Sequence, residues 1–459
     1  MDISSRYFSQ LKRKDPAIIL NLWAFLVAAY RVGKLVELLS FVVWECRHRV
    51  GLFSRDRYVK FTDDTCPSLG VDTDLAIQSS EFLNREGFCF EPVPIDWKYC
   101  FEAPDGTLWG TRYSDNNKLV YSIDGSISVT IAYEFLHSIS SLYINSQGYL
   151  FVCVEGTIYK SSDCGLSFKK VLSLSSSISY FLFNNGMTEL PDRTLFIGEY
   201  GSIWRRNNWQ NLAFLYYSTD GGDTWTMTDF LVREGANKHI HVVKYCERLA
   251  ALLLTDGDNK KRAWINSSLT HFDERTTRRQ SFGWRLVTKF HHQTGGYLAV
   301  TETKNCVLLG SDYLGGTNFI VRTLDGRRFE KSVMPDPYRR SPIMNMTTTQ
   351  SRACQEVWAF SYSCLSTTSK SLLMCSKDDG KTWARVIEFD GTKNEVRLVS
   401  TSQRKSGILH IAITTYGDCP ESHRHQVYKL MHKSARPVQV NEASTFTTTA
   451  NHSELSVIQ

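Results

Sequence analysis

Short apolar runs, each ending in a small hydroxyl residue, a glycine or a polar tip, recur along most of this chain. Leu108-Trp-Gly110, Leu150-Phe-Val-Cys-Val154, Leu195-Phe-Ile197, Leu252-Leu-Leu254, Val307-Leu-Leu309, Val357-Trp-Ala-Phe360 and His410-Ile-Ala-Ile413 are of this kind. They are too short for ordinary helices and predict strands buried on both faces. A second set, including Leu215-Tyr-Tyr217 and Leu372-Leu-Met-Cys375, runs into a turn with its own signature. Its copies are Ser161-Ser-Asp-Cys-Gly-Leu-Ser-Phe168, Ser218-Thr-Asp-Gly-Gly-Asp-Thr-Trp225, Thr323-Leu-Asp-Gly-Arg-Arg-Phe329 and Ser376-Lys-Asp-Asp-Gly-Lys-Thr-Trp383. A weaker copy is Ser122-Ile-Asp-Gly-Ser126. In each, the Asp carboxylate can accept N–H groups of its own turn, Gly supplies a conformation other residues resist, and the aromatic opens the next strand. A catalytic group is seldom needed in four copies, so Asp124, Asp163, Asp220, Asp325 and Asp378 are read as structural.

The aspartates are 39, 57, 105 and 53 residues apart. The gap of 105 is about twice its neighbours, which places an unmarked turn near Ile265-Asn-Ser-Ser-Leu-Thr270, before Phe272. That makes six units. A seventh follows, with strand-like runs Glu395-Val-Arg-Leu-Val399, Ile408-Leu-His-Ile-Ala-Ile413 and Gln426-Val-Tyr-Lys-Leu430, and Gly87-Phe-Cys-Phe-Glu-Pro92 can lend it a fourth strand. The fold expected is all-β, a seven-bladed β-propeller over residues 86–434. It is preceded by an N-terminal apolar helical segment (1–50) and a connector (51–85), and followed by a disordered tail (435–459).

The turns resemble the Asp-box (bacterial neuraminidase) repeats of sialidases, two-propeller xyloglucanases, sortilin-type receptors and a plastid photosystem assembly factor. The resemblance covers residues 95 to 434 and implies the fold. It does not select a function, because those relatives include enzymes, receptors and assembly factors. The Arg-Ile-Pro signature that sialidases carry before the first box is absent here.

In a four-stranded blade the loop after the second strand lies on the face opposite the turn between strands three and four. The polar tips of the second strands therefore gather on one rim of the channel: Arg112, Glu155, Glu199, Tyr200, Asp256, Asp258, Asp312, Tyr362, Tyr416 and Asp418. The loop that leads into the fourth blade adds His239 and His241. Carboxylates around a concave rim suit glycosyl chemistry, in which one neutral acid protonates a leaving oxygen and a second carboxylate acts as nucleophile or base. Glu199 with Asp256 or Asp312 is the expected pair, and His241 is an alternative proton carrier. Tyr200 and Tyr362 are placed to stack on sugar rings, and Arg112 to hold a carboxylate or phosphate. Glu155, His239, Asp258 and Tyr416 complete the expected binding set. Two readings follow: a glycosidase-type enzyme acting on a surface or membrane-linked glycan, or a non-catalytic propeller that binds a protein or glycan partner.

The net charge of +6 is mild and its basic residues are scattered, with no Lys/Arg stripe interleaved with aromatics, which argues against nucleic acid. The twelve cysteines show no Cys-x-x-Cys and no metal-finger spacing. No cofactor or metal is implied. Cys153 and Cys375 lie in apolar strands, as buried thiols of a reducing compartment would.

Pro16 to Tyr30 carries no charge and follows Lys12, Arg13 and Lys14; after Arg31 and Lys34 the apolar character resumes as far as Trp44, before Arg47 and Arg49. A spanning helix needs about 20 apolar residues, more than this run offers before its charges. A helix or hairpin on a membrane surface through residues 16–46, or packed on the propeller, is expected first, and a signal peptide second. The compartment is accordingly read as cytoplasmic or membrane-associated, then exported.

Overall fold

The computed structural model describes residues 18–31, 35–52, 57–63, 66, 68–69, 88–205, 208–236, 238–257, 262–287, 296–350, 355–402, 409–419 and 422–432. Two helices, α1 (Ile18–Arg31) and α2 (Leu35–Arg49), precede a ring of seven four-stranded antiparallel sheets. Counted from the channel outward, blade 1 is Trp97–Glu102, Leu108–Arg112, Lys118–Ser122 and Thr130–Glu134; blade 2 is Ile139–Ile144, Leu150–Val154, Thr157–Ser161 and Lys169–Ser173. Blade 3 is Met187–Glu189, Leu195–Gly198, Leu215–Ser218 and Thr226–Thr228; blade 4 is Ile240–Cys246, Ala251–Asp256, Ala263–Asn266 and Arg285–Leu286. Blade 5 is Gly296–Glu302, Val307–Asp312, Phe319–Thr323 and Glu330–Val333; blade 6 is Ile343–Gln350, Gln355–Ser361, Lys370–Ser376 and Thr382–Asp390. Blade 7 combines Asn394–Leu398, Leu409–Thr415 and Arg424–His432 with Phe88–Val93 from before blade 1. The protein is a seven-bladed β-propeller.

The ring is fastened twice. Phe88–Val93 pairs antiparallel with Arg424–His432 at the outer edge of blade 7. Ser400–Ser402, just after the first strand of that blade, pairs parallel with Cys100–Glu102 on the channel side of blade 1. The second strands are the centre of the core: every residue of Leu150–Val154 and of Ala251–Asp256 is buried, because each blade packs both its faces against neighbours. A register shift recurs near the start of the first strand in blades 1, 2, 4, 5 and 6, at Trp97/Tyr99, Ile139/Ser141, Ile240/Val242, Tyr297/Ala299 and Ile343/Asn345. It bends these strands alike where they enter the channel.

The turns between third and fourth strands fold by their own side chains. Ser218 Oγ donates to Asp220 Oδ1 (2.7 Å) and accepts from Gly222 N (2.9 Å). Asp220 also accepts from Asp223 N (3.0 Å), Thr224 N (3.0 Å) and Thr224 Oγ1 (2.6 Å), and Trp225 Nε1 closes back on Gly222 O (3.1 Å). Asp163 and Asp378 make the same kinds of bond with Ser161, Ser167, Ser376 and Thr382. Asp124 does so with Ser122 and Ser128. The shorter Asp325 turn keeps only the N–H groups of Arg327 (2.8 Å) and Arg328 (2.9 Å) on its carboxylate. In blade 4 the turn lies where the doubled gap places it, and the roles are exchanged. Asn266 ends the strand and its Oδ1 accepts from Ser268 Oγ (2.9 Å) and Leu269 N (3.0 Å). The aromatic ahead of the fourth strand there is the buried Trp284, not Phe272; residues 271–283 are inserted, and Phe272 instead packs on Phe196 (4.8 Å between centroids).

Part of the connector is paired. Lys60–Phe61 lies parallel to Thr382–Trp383 on the outer edge of blade 6, and Asp63 bonds Arg385. The C-terminal end of α2 docks beside blades 5 and 6: buried Glu45 pairs with buried Arg339 (Oε2 to Nη2 3.3 Å), His48 reaches Asp336 (2.7 Å), and Trp44 stacks near Phe319 (6.3 Å). The residues expected in the tail lie outside the described ones. Ten cysteines, Cys100, Cys153 and Cys375 among them, are free thiols.

Candidate functional site

The segment Phe181-Leu-Phe-Asn-Asn-Gly186, just before the first strand of blade 3, crosses the channel and plugs it. Asn184 Nδ2 donates to Met346 O of blade 6 (3.0 Å), and its Oδ1 accepts from Thr401 Oγ1 (2.8 Å). Asn185 Nδ2 donates to Leu298 O of blade 5 (3.0 Å), and Asn185 O accepts from Val243 N of blade 4 (2.8 Å). Ser141 of blade 2 donates to Phe181 O, and Phe183 packs on Tyr99 of blade 1 (4.9 Å). The loops that join blades lie on one side of this plug, here called the mouth, and a chamber under the Asp turns lies on the other.

At the mouth, blades 3, 4 and 5 bring together Tyr200, His239, His241 and Asp312. His239 Nδ1 bonds Gly201 O, which can only accept, so that nitrogen carries a hydrogen. In neutral His239 the other nitrogen is then an acceptor, and His241 Nε2 lies 3.1 Å from it as donor. Asp312 Oδ2 is 3.9 Å from the same His241 nitrogen. The Tyr200 ring covers both imidazoles, at 4.1 Å from His239 and 5.9 Å from His241. Both histidines are buried, and Asp312 is partly open. Gly257 lets them approach: a Cβ there would stand 2.3 Å from His239 Cδ2 and 2.7 Å from His241 Nε2. Asp256 is buried beside them, and its carboxylate accepts from Arg262 N.

Glu199 is turned away from this group. Its carboxylate is fully buried, accepting from Tyr216 OH (2.8 Å), from Ser175 N (3.2 Å) and from Ser175 Oγ. It ties blade 3 to the loop leaving blade 2. Burial and then the adjacent Glu199 charge push the Tyr216 phenol far above its usual range, so the phenol stays a donor.

Across the mouth, Tyr362 and Tyr416 form a second group with Glu395. Tyr416 OH donates to Glu395 Oε2 (2.7 Å), and Tyr362 meets Tyr416 through its hydroxyl. Burial pushes the Tyr362 phenol up to about 12. Arg397 lies over Tyr99 at 6.0 Å, beside Lys98, whose Nζ donates to Ile139 O (3.1 Å). Arg397 and Tyr99 were missed by the sequence reasoning. The signal was present, since Glu395 and Arg397 are two apart on one strand and share a face.

The remaining predicted residues stand apart. Arg112 is held by Asp96 (2.8 Å) and Asp115 (3.5 Å) on blade 1. Glu155 is exposed in a tight hairpin, at φ +45°, facing His137 (3.2 Å). Asp258 lies outside the described residues. Among the described residues no group of three His, Cys, Asp or Glu is placed to hold a metal ion.

Fold and mouth together define a propeller with a plugged channel. No family model matches the sequence, and no curated protein matches it. Similar solved structures are propellers. Streptogramin B lyase has 14% identity over 75% of this chain and 97% of that one, at a TM-score of 0.44. YCF48 bound to D1 peptide has 13% identity over 80% and 99%, at 0.45. A chain of the mitotic checkpoint complex has 10% identity over 79% and 99%, at 0.46. At such distances the fold rests on the strand pairings above, and no activity is transferred.

Proposed function

We propose that this chain is a non-catalytic interaction propeller that binds a partner protein across its mouth. One observation carries the reading: the carboxylates that glycosyl transfer would need are engaged in the walls, while aromatic side chains stand exposed around the opening. Glu199 is sealed by Tyr216 and Ser175, and Asp256 is buried on Arg262 N. That leaves Asp312 as the partly open carboxylate of the expected pair, and a double displacement or a general acid with a general base needs two. In contrast, Trp204 and Trp209 rise beside the mouth on a two-stranded hairpin, with Lys238 over Trp209 (4.4 Å), and both rings are exposed. Tyr113, Leu314 and Leu365 are exposed on other loops of that face. Aromatic anchors around a polar centre are the composition of a binding hot spot. In this reading His239, His241 and Asp312 supply polar selectivity at the centre. The repeats are read on the same footing as Asp-box repeats of the sialidase-like superfamily, used here for their fold.

The purified full chain is expected to hydrolyse no aryl glycoside above background. Hydrolysis that Asp312→Asn or Glu199→Gln abolishes would overturn the reading. Partner binding is expected to fall at least tenfold in Trp209→Ala and in His241→Ala, and to survive Asp163→Asn on the far face.

The helical segment favours a membrane surface as the place of action. Ile19, Leu20 and Trp23 of α1 are 73%, 73% and 68% exposed, although the segment is anchored at Glu45. No helix among the described residues is long and apolar enough to cross a membrane. Apolar side chains with basic flanks suit the headgroup region. Flotation with phosphatidylserine vesicles should be lost in Ile19→Glu with Trp23→Glu; unchanged flotation would refute it.

A further inference from the structure

The chamber on the other side of the plug is a separate cavity of about 640 Å³, within the size range of small-molecule sites. Asn184 and Phe183 form its floor. Its wall can be read from the recurring register shift. The residue two positions beyond the shift is Phe101 in blade 1, Tyr143 in blade 2, Lys244 in blade 4, Thr301 in blade 5 and Thr347 in blade 6. All five line the cavity. One side of this layer is therefore aromatic, and the opposite side carries an ammonium and two hydroxyls. Thr188, Thr349 and Thr401 add further hydroxyls.

Lys244 is the exceptional member. Its Nζ makes two long bonds, to Asn185 Oδ1 of the plug (3.4 Å) and to Val300 O of blade 5 (3.3 Å). Among the described residues no carboxylate lies within ion-pair reach of it. An ammonium has three donors, so this cation faces the cavity with hydrogen-bonding capacity left over. Four carboxylates, Glu102, Glu189, Glu247 and Glu302, line the same cavity, and two of them are committed at its outer edge. Glu189 accepts from Ser146 N (2.7 Å) and Oγ (2.8 Å), and Glu302 accepts from Glu247 N (3.3 Å) and Arg248 N (3.1 Å). The four anions outnumber the two cations of the lining, Lys244 and Arg193, and repel a polyanion, whereas Lys244 at the floor attracts a single negative group.

We propose that the turn-side chamber binds a small hydroxylated monoanion of the sugar-acid type, its carboxylate on Lys244 and its hydroxyls on the threonine wall. This site is independent of the mouth, because the plug stands between them. Burial holds the Lys244 ammonium below the ordinary lysine range, so binding should weaken as pH rises toward that range.

Glucuronate is the probe. Titration calorimetry of the full chain at fixed ionic strength should show glucuronate binding, with glucose bound at least tenfold more weakly. The dianion glucose 6-phosphate should also bind more weakly than glucuronate. Lys244→Gln keeps a donor for Asn185 and should lose at least tenfold in affinity, whereas Lys244→Arg should retain binding and remove its decline at high pH. Thr301→Val, which leaves the cation in place, should weaken binding a few-fold and guards against misfolding of the Lys244 variants. Absence of glucuronate binding, equal binding of glucose, unchanged affinity in Lys244→Gln, or tighter binding of the phosphate dianion would each overturn the proposal.

Discussion

The two faces of the propeller are held in opposite ways. On the turn face, each Asp turn is closed by residues within seven positions of one another, as with Ser218, Asp220, Gly222, Thr224 and Trp225. On the mouth face, structure depends on residues brought from far apart. His239 bonds Gly201, His241 faces Asp312, and Glu45 of α2 holds Arg339 nearly three hundred positions away. The first arrangement survives insertion and drift between blades, since each turn carries its own partners. The second exists only after the ring has formed, which leaves that face free to differ between blades and to hold a site.

Three experiments can break or sharpen this contrast. The largest effect is expected at the docked helix. Glu45→Ala leaves buried Arg339 with only the exposed Asp336 as carboxylate partner (3.1 Å), so the cost should fall near the lower end of that of a broken buried pair, about 3–5 kcal/mol. Hydrogen exchange should rise across residues 35–52 while the turn face stays protected; equal exchange in both proteins would show that the pair does not hold the helix.

The second concerns a turn that, besides its own bonds, touches another blade. Ser126, in the blade 1 turn, accepts from Trp97 Nε1 (3.2 Å) and contacts His410 Nε2 of blade 7 (3.3 Å). Burial, and then Lys429, press the His410 pKa down to about 3. The unfolded chain takes up this proton first, so stability is whole above about pH 6.5 and declines as pH falls toward 3. Between pH 7 and pH 5 the loss should be about 2 kcal/mol, by linkage at roughly 1.4 kcal/mol per pH unit. Urea midpoints at the two pH values measure it, and His410→Gln should flatten the dependence. A His410 ring already protonated at pH 5 by NMR would contradict the burial argument.

The smallest effects belong to single turns. Asp220→Ala removes an acceptor used by two N–H groups and two hydroxyls, and should cost about 1 kcal/mol. Asp325→Ala removes an acceptor for two N–H groups only, and its denaturation midpoint should move less. The reverse order would mean that the turns are not stabilised by their own bonds. The Asp163 carboxyl, held near 2 chiefly by the Ser167 hydroxyl, should titrate there and not in the ordinary range, so its stabilisation is present above about pH 4 and lost as pH falls through 2.

What could be read from sequence follows the same division. Asp turns and apolar second strands announce themselves because their causes lie within a few residues, and Phe88–Val93 was legible as a closing strand from its own apolar run. The gathering of Tyr200, His239, His241 and Asp312 was accessible through blade period and topology. The orientation of Glu199 was not. Its partners Ser175 and Tyr216 lie 24 residues before and 17 after it, and only the packing of blade 2 on blade 3 decides that the carboxylate faces them. The plug was also hidden, because Asn184 and Asn185 look like an ordinary loop until blades 4, 5 and 6 and the strand Ser400–Ser402 supply their partners. In blade 4 the inserted residues 271–283 concealed that Trp284, not Phe272, precedes the last strand.

The double fastening of the ring has a consequence for biosynthesis. Phe88–Val93 leaves the ribosome long before Arg424–His432, its strand partner among the described residues. Ser400–Ser402 likewise returns late to blade 1. Until Arg424–His432 is made, the nascent chain therefore carries an open arc with a bare strand at each end, where pairing with another molecule is a hazard. Any truncation before residue 424 would leave that arc permanently unclosed.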